Sequence, residues 1–254
     1  MLRSLIDLTG YRLSARDGDI GNVGDFLFDD ERWVVRYLVA QTGNIFNRRH
    51  ALISPISFRE ADWPSQRFHL SLTQEEVKSS PDIDQDRPVS RQRERELHRH
   101  YGYSLYWGYP GLWGAAGYPG TLAAAPLNPP LTEAPQVEAE DGDTHLRSAK
   151  EVRNYDIVGA DASIGHVEDF VVDDASWALR FIVVDTKLWW FGKKVLIAPQ
   201  WVDRVSWDSR TMHLGMTRQQ IKDSPEWDPK APINRAYEAR LYDYYGRPAY
   251  PHAT

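Results

Sequence analysis

The feature that most constrains this chain is that it contains the same pattern twice. The stretch "IGNVGDFLFDD", Ile20 to Asp30, returns as "IGHVEDFVVDD", Ile164 to Asp174, with the same glycine, the same Val-x-Asp-Phe and the same pair of aspartates. A constant separation of 144 positions carries the match without a gap from Leu2/Leu146 to Trp107/Pro251. Roughly a third of the aligned positions are identical, which marks an internal duplication. Shared landmarks include Leu2-Arg3-Ser4 with Leu146-Arg147-Ser148, Trp33 with Trp177, Pro55 with Pro199, His69 with His213, and Tyr101-Gly102 with Tyr245-Gly246.

Each copy reads as strands followed by short helices. "DFLFDD" and "WVVRYLVAQT" are β-rich runs on either side of a polar tip, which is a hairpin signal. "RFHLSL" alternates, with Phe68, Leu70 and Leu72 on one side, and "TMHLGM" does the same with Met212, Leu214 and Met216. Pro55 and Pro199 end or bend the apolar runs they interrupt. Thr73 with Glu76, and Thr217 with Gln220, have capping-box spacing, and Pro81 and Pro225 stop the short helices that follow. Ser90 and Asn234 are the expected N-caps of second helices, with Gly102 and Gly246 just past their ends. The expected division is a first domain over residues 1–85 with a helical tail at 86–107, and a second domain over 146–229 with a tail at 230–254. Residues 108–145 are rich in Gly, Ala and Pro, carry no helical or alternating pattern, and read as a partly extended linker. The tyrosine-rich tails are expected to pack on a barrel, that of the other copy being one option.

The stretches "YRLSARDGDIGNVGDFLFDDERWVVRYLV" and "YDIVGADASIGHVEDFVVDDASWALRFIV", with "RRHALISP", "KKVLIAP" and the Thr-led helix ending in Ser-Pro, resemble the PRC-barrel family. Members include the cytoplasmic domain of the photosynthetic reaction centre H subunit and the C-terminal domain of the ribosome maturation factor. The resemblance implies a small all-β barrel used as an interaction module. It implies no catalytic residue and no cofactor. The expected fold class is therefore mainly β: two tandem PRC-like small β-barrels, each followed by short helices, related by internal duplication. The chain opens directly in the barrel pattern, without the membrane helix of an H subunit, so the best-known roles of the family do not transfer directly.

Composition narrows the function classes. A formal net charge of −6 and a pI near 5.8 argue against a nucleic-acid grip, which needs a basic face. With no cysteine there is no disulfide, no thiolate catalysis and no cysteine-ligated zinc. No run reaches the about 18 apolar residues of a membrane span, and "MLRSLIDLTG" lacks signal-peptide character, so a cytoplasmic location is the expectation.

Several residues are candidates for a role. A symmetric hairpin places Asp25 opposite Arg36 and Asp169 opposite Arg180, which predicts cross-strand carboxylate–guanidinium pairs. The same acids, with Asp29 and Asp30, could form a metal or acid/base site, although no His or Glu is placed to complete a ligand set. His69 and His213 fall on the polar side of an alternating strand and read as surface residues; a hydrolase would need a pocket joining His69 to Asp25 or Asp29. "RQRERELHRHYG" reads as a solvated helix face. "LWWFGKK" and its copy "NIFNRRH" combine aromatic groups with cations at a loop, which makes Trp189, Trp190, Phe191, Lys193 and Lys194, and Phe46, Arg48 and Arg49, candidate protein-binding residues. The expected function is a non-enzymatic interaction scaffold or adaptor, with a protein partner and no cofactor. The alternatives are a soluble factor associated with photosynthetic or membrane electron-transfer complexes, and an Asp/His-dependent hydrolase. A homodimer and an intramolecular pairing of the two barrels are both left open.

Overall fold

A computed structural model describes residues 1–43, 49–81, 89–124, 145–186, 193–229 and 231–248. The first repeat runs β1 (Leu2–Ser4), α1 (Leu5–Leu8), β2 (Arg12–Ala15), β3 (Gly18–Asp29), β4 (Val34–Thr42), β5 (Arg49–Ile53), β6 (Phe58–Asp62) and β7 (Arg67–Leu70), then α2 (Gln74–Lys78), α3 (Arg91–Tyr101) and α4 (Gly120–Ala124). The second runs β8 (Leu146–Ser148), α5 (Ala149–Val152), β9 (Asp156–Val158), β10 (Ser163–Asp173), β11 (Leu179–Asp185), β12 (Lys194–Ile197), β13 (Val202–Ser206) and β14 (Thr211–Leu214), then α6 (Arg218–Asp223) and α7 (Arg235–Tyr244).

The strands form two seven-stranded sheets of the same order, β5-β4-β3-β2-β7-β6 and β12-β11-β10-β9-β14-β13. All pairings are antiparallel except β2 with β7 and β9 with β14. The two ends of each path, β5 with β6 and β12 with β13, are consecutive in the chain and joined by a 3-10 turn, Pro55–Ser57 or Pro199–Trp201. Each sheet therefore curls back on itself, and a proline-led corner rather than a row of hydrogen bonds joins its ends. The mainly β fold and its two related domains are as expected. Phe68, Leu70 and Leu72, like Met212, Leu214 and Met216, all face the core. The capping boxes at Thr73/Glu76 and Thr217/Gln220 are formed, and Ser90 and Asn234 cap their helices.

β4 and β11 are buried almost throughout and do not alternate, because both of their faces are covered. One face of β4 joins the curled core, and Tyr37 and Val39 cluster with Leu52, Val89, Leu97 and Leu146. The first tail helix thus packs on the sheet of its own repeat. In the second repeat the tail does the same: Tyr242 of α7 meets Phe181 and Trp201.

Two features were not anticipated. The compact units are Leu5–Lys150 with Asp174–Ala178, called here the N-terminal unit, and Met1–Ser4 with Glu151–Asp173 and Leu179–Thr254, the C-terminal unit. Each unit includes the leading strand of the other repeat: β1 pairs with β10, and β8 pairs with β3. The register is the same in both, Leu2 opposite Asp173 and Leu146 opposite Asp29. In addition, residues 108–124 are a packed part of the N-terminal unit and not an extended spacer. Trp113 is fully buried there, its Nε1 donates to the carbonyl of Ser176 at 2.7 Å, and a helical turn forms at Gly120–Ala124. An indole with a paired N–H provides the large apolar surface that this Gly- and Ala-rich stretch otherwise lacks.

The repeated glycine of the long strand has a steric cause. A Cβ at Gly21 would lie 2.0 Å from the carbonyl oxygen of Gln41, and one at Gly165 would lie 2.1 Å from that of Asp185. The neighbouring backbone cannot retreat without breaking the ladder. Gly21→Ala and Gly165→Ala are each expected to destabilise by roughly 1–3 kcal/mol, while Gly117→Ala, which meets open space, stays near zero. Urea denaturation of the three variants checks this, and an unchanged midpoint for Gly21→Ala refutes it.

Candidate functional site

The repeated acids Asp25, Asp29, Asp30, Asp169 and Asp173 are engaged within their own units. β3 carries register shifts between Val23 and Asp25 and between Leu27 and Phe28, so Asp25 stands opposite Val39. Asp25 accepts the Ser148 hydroxyl and the backbone N–H groups of Phe26 (2.7 Å) and Lys150 (3.0 Å). Burial raises its carboxyl above the usual range in spite of those bonds. Asp169 accepts the hydroxyl of Ser4 in the same way. The expected Asp25–Arg36 pair is thus corrected: Arg36 lies 3.1 Å from Asp29 instead. The turn sits further along the chain than a symmetric tip at residues 29–32 would place it, with Asp29 already opposite Val34, and the bulge between Leu27 and Phe28 shifts the pairing once more. In the second repeat Asp169 stands opposite Val183, and Arg180 reaches Glu238 at 2.8 Å and Asp173 at 3.9 Å. Asp30 holds the Nε of Arg147 at 2.7 Å.

The densest arrangement of charge lies under α3, in the N-terminal unit. Arg36 is fully buried; its Nε and Nη2 face Asp29 Oδ2, and its Nη1 donates to the carbonyl of Leu112. The guanidinium carbon sits 3.9 Å from the ring centre of Tyr106 and 4.9 Å from that of Trp113. The other Asp29 oxygen accepts the N–H groups of Glu31 (3.0 Å) and Arg32 (3.2 Å) at the hairpin tip. Burial pushes the Asp29 carboxyl up, and the Arg36 charge and these bonds outweigh it and hold it below the usual range.

Next to it is Glu94, 0% exposed. Its Oε1 accepts the hydroxyls of Tyr37 (3.0 Å) and Tyr106 (2.5 Å), and its Oε2 faces His145 Nε2 (2.7 Å) and Arg91 Nη1 (3.3 Å). These partners fill the about four lone-pair positions of a carboxylate. Burial would raise its pKa, and His145, Arg91 and Tyr106 together bring it below the usual range. His98 contacts the Tyr37 hydroxyl at 3.0 Å and the Ser104 carbonyl at 2.8 Å, and burial lowers its pKa. A saturated, enclosed carboxylate of this kind holds elements together. It has no open valence with which to take a proton from a bound molecule.

This cluster was missed in the sequence. α3 reads as solvated, yet Arg91, Glu94, Leu97 and His98 are buried. The signal was there in the i, i+3, i+7 spacing of Arg91, Glu94 and His98, and in the recurrence of the first two as Arg235 and Glu238.

The candidate docking cations are also anchored. Lys193 Nζ donates to the carbonyls of Lys222 (2.5 Å) and Ser224 (2.7 Å) at the end of α6, and Arg49 donates to the Ser80 carbonyl after α2. Lys194 pairs with Glu168 at 2.6 Å. Phe46, Arg48, Trp189, Trp190 and Phe191 lie outside the described residues. His213 contacts Arg204 and Thr211. Among the described residues no three His, Asp or Glu side chains are grouped to hold a metal ion, and no helix is long and apolar enough to cross a membrane.

Residues 145–213 match the family model of the PRC-barrel domain. The second repeat holds a PRC-barrel domain. No curated protein matches the chain. The matched segment takes in β8, the strand this PRC-barrel domain contributes to the N-terminal unit. The sheet of the first repeat has the same strand order as that of the PRC-barrel domain.

Glu94→Gln removes the carboxylate charge that buried Arg91 and His145 face. Glu94→Gln is expected to cost roughly 3–5 kcal/mol at neutral pH, and Glu238→Gln, whose Arg180 partner also faces Asp173, less. Because the folded-state pKa of Glu94 is depressed, its contribution is fully present above the ordinary carboxylate range and is lost as pH falls through the folded value. Denaturation curves of the native chain and Glu94→Gln should therefore converge in acid. A gap that widens there contradicts the assignment.

Proposed function

We propose that this chain is a non-enzymatic interaction scaffold that docks protein partners through the aromatic loops of its two repeats. The PRC-barrel domain at residues 145–213 supports an interaction module. The observation that carries the reading further is the anchoring of Arg49, Lys193 and Lys194. These cations fasten the roots of the β4–β5 and β11–β12 connections to their own units. By sequence, the connections carry aromatic residues beside these anchors, Phe46 in one and Trp189, Trp190 and Phe191 in the other, with Arg48 next to the first. Aromatic and arginine groups are enriched where binding energy concentrates. Two related sites on one chain raise avidity if both engage together.

The anchoring also decides which variant tests the idea. Reversing Lys193 and Lys194 removes contacts that hold α6 and β10, so lost binding would not separate docking from unfolding. The triple variant Trp189→Ala, Trp190→Ala, Phe191→Ala spares those contacts. The expected result, in quantitative affinity capture from the host lysate, is at least a tenfold loss of one stoichiometric partner with the melting temperature unchanged. Full retention of that partner refutes the loop assignment, and the absence of any saturable partner refutes the scaffold reading.

A further inference from the structure

The leading strands offer an interaction surface with a defined occupant. β1 and β8 have the same sequence, Leu-Arg-Ser. Each adds antiparallel to the end of the long strand in the sheet of the other repeat, Ser4 opposite Val171 and Ser148 opposite Leu27. Each serine hydroxyl bonds a repeated aspartate, Ser4 to Asp169 and Ser148 to Asp25. In the N-terminal unit the second repeat supplies a further piece, Asp174–Ala178. There Trp177 stacks with Phe26 and meets Phe58 edge-on, and its carbonyl accepts the N–H of Val35 at 2.8 Å. Neither unit is complete without residues from both repeats.

None of these contacts requires the two repeats to belong to one chain. β1 runs straight into α1, whose Leu5 and Leu8 are buried in the N-terminal unit, so the strand cannot transfer alone and a whole repeat must move with it. The repeats are joined through the residues between α4 and His145. That is 20 residues, 125–144, which reach about 65–70 Å when fully extended. We propose that two copies of this chain exchange repeats, the first repeat of each building both composite units with the second repeat of the other copy. The partner recognised by the Val171–Asp173 edge is then the Leu2–Ser4 strand of a second copy. The exchanged dimer has the same contacts within each unit as the closed monomer. The balance between them is set by the effective concentration that the connecting residues impose.

The chain has no cysteine, so introduced thiols report without background. Ser4 and Val171 are Cα partners in an antiparallel pair, a spacing compatible with a disulfide. Full-length Ser4→Cys and Val171→Cys chains are mixed, unfolded, refolded together over a range of concentrations and oxidised. The expected result is a crossed disulfide dimer whose fraction rises with refolding concentration, while the double variant refolded dilute closes within one chain. A chain lacking residues 127–137 keeps a link of nine residues, which reaches about 30 Å instead of about 65–70 Å, and under this proposal it is expected to form the crossed dimer at a concentration at least tenfold lower. Internal closure of the double variant with no crossed dimer from the mixture overturns the proposal. So does failure of the double variant to oxidise, which would deny the strand pairing, or a crossed dimer indifferent to link length, which would mark ordinary association.

Discussion

The hydroxyl–carboxylate bonds Ser4–Asp169 and Ser148–Asp25 pin the parts on which the rest of the structure depends. A three-residue strand has too few backbone bonds to hold its own register, and a slip of one residue would turn its side chains to the opposite face. The serine fixes the register by reaching a carboxylate that is placed by a bulge in the receiving strand. Once β8 is seated, Lys150 N–H adds to Asp25, Arg147 meets Asp30, and Leu146 enters the cluster with Tyr37, Val39, Leu52 and Leu97. The repeated acids of the opening motif are thus receptors for the other repeat, which explains why they recur together with the strand they receive.

The two units carry the same frame with different polar interiors. In the C-terminal unit the repeated arginine, Arg180, meets the repeated glutamate, Glu238, directly at 2.8 Å. In the N-terminal unit Arg36 turns to Asp29 and to the Leu112 carbonyl, while Glu94 gathers Tyr37, Tyr106, Arg91 and His145. At the positions equivalent to Tyr37, His98 and His145 the C-terminal unit has Phe181, Tyr242 and Met1, which cannot build that network. The extra polarity accompanies extra chain. Tyr106, Leu112 and Trp113 close over Arg36, and taking a guanidinium out of water is costly unless its donors and its ring faces are satisfied.

Much of this fold was legible because the residues that set it act locally. Thr73, Thr217, Ser90 and Asn234 announce helix starts through their own backbone neighbours, and the alternation at Phe68-Leu70-Leu72 reports a face within one strand. What was not legible is decided at long range. The hairpin arithmetic that paired Asp25 with Arg36 assumes a tip at residues 29–32 and a regular ladder; the turn falls later, with Asp29 opposite Val34, and a bulge between Leu27 and Phe28 adds a further shift. The partners of the buried face of α3 lie far along the chain: His145, 51 positions beyond Glu94, faces that carboxylate, and Trp113, in a stretch with no periodicity, packs on Tyr106 and Arg36 beside it, so the charged helix reads as solvated until those residues are placed. The destination of Leu2–Ser4 is hidden for another reason: identical tripeptides lead both repeats, and a duplicated sequence does not say which copy of a groove each strand enters.

That ambiguity bears on how a chain of two such repeats is held together. Where leading strands are reciprocal, neither repeat can be altered alone: a change at Asp25 is felt by Ser148, and a change at Asp169 by Ser4. The identity shared by these positions therefore follows from mutual fit, and it needs no catalytic role to explain it. The positions that differ between the repeats are then the ones free of this constraint. They include the loop contents, with Phe46 in one copy and Trp189, Trp190 and Phe191 around the corresponding point in the other, and the interior of α3 set against that of α7. A chain built this way keeps its frame constant through pairing and leaves the residues outside that frame free to diverge between the two repeats.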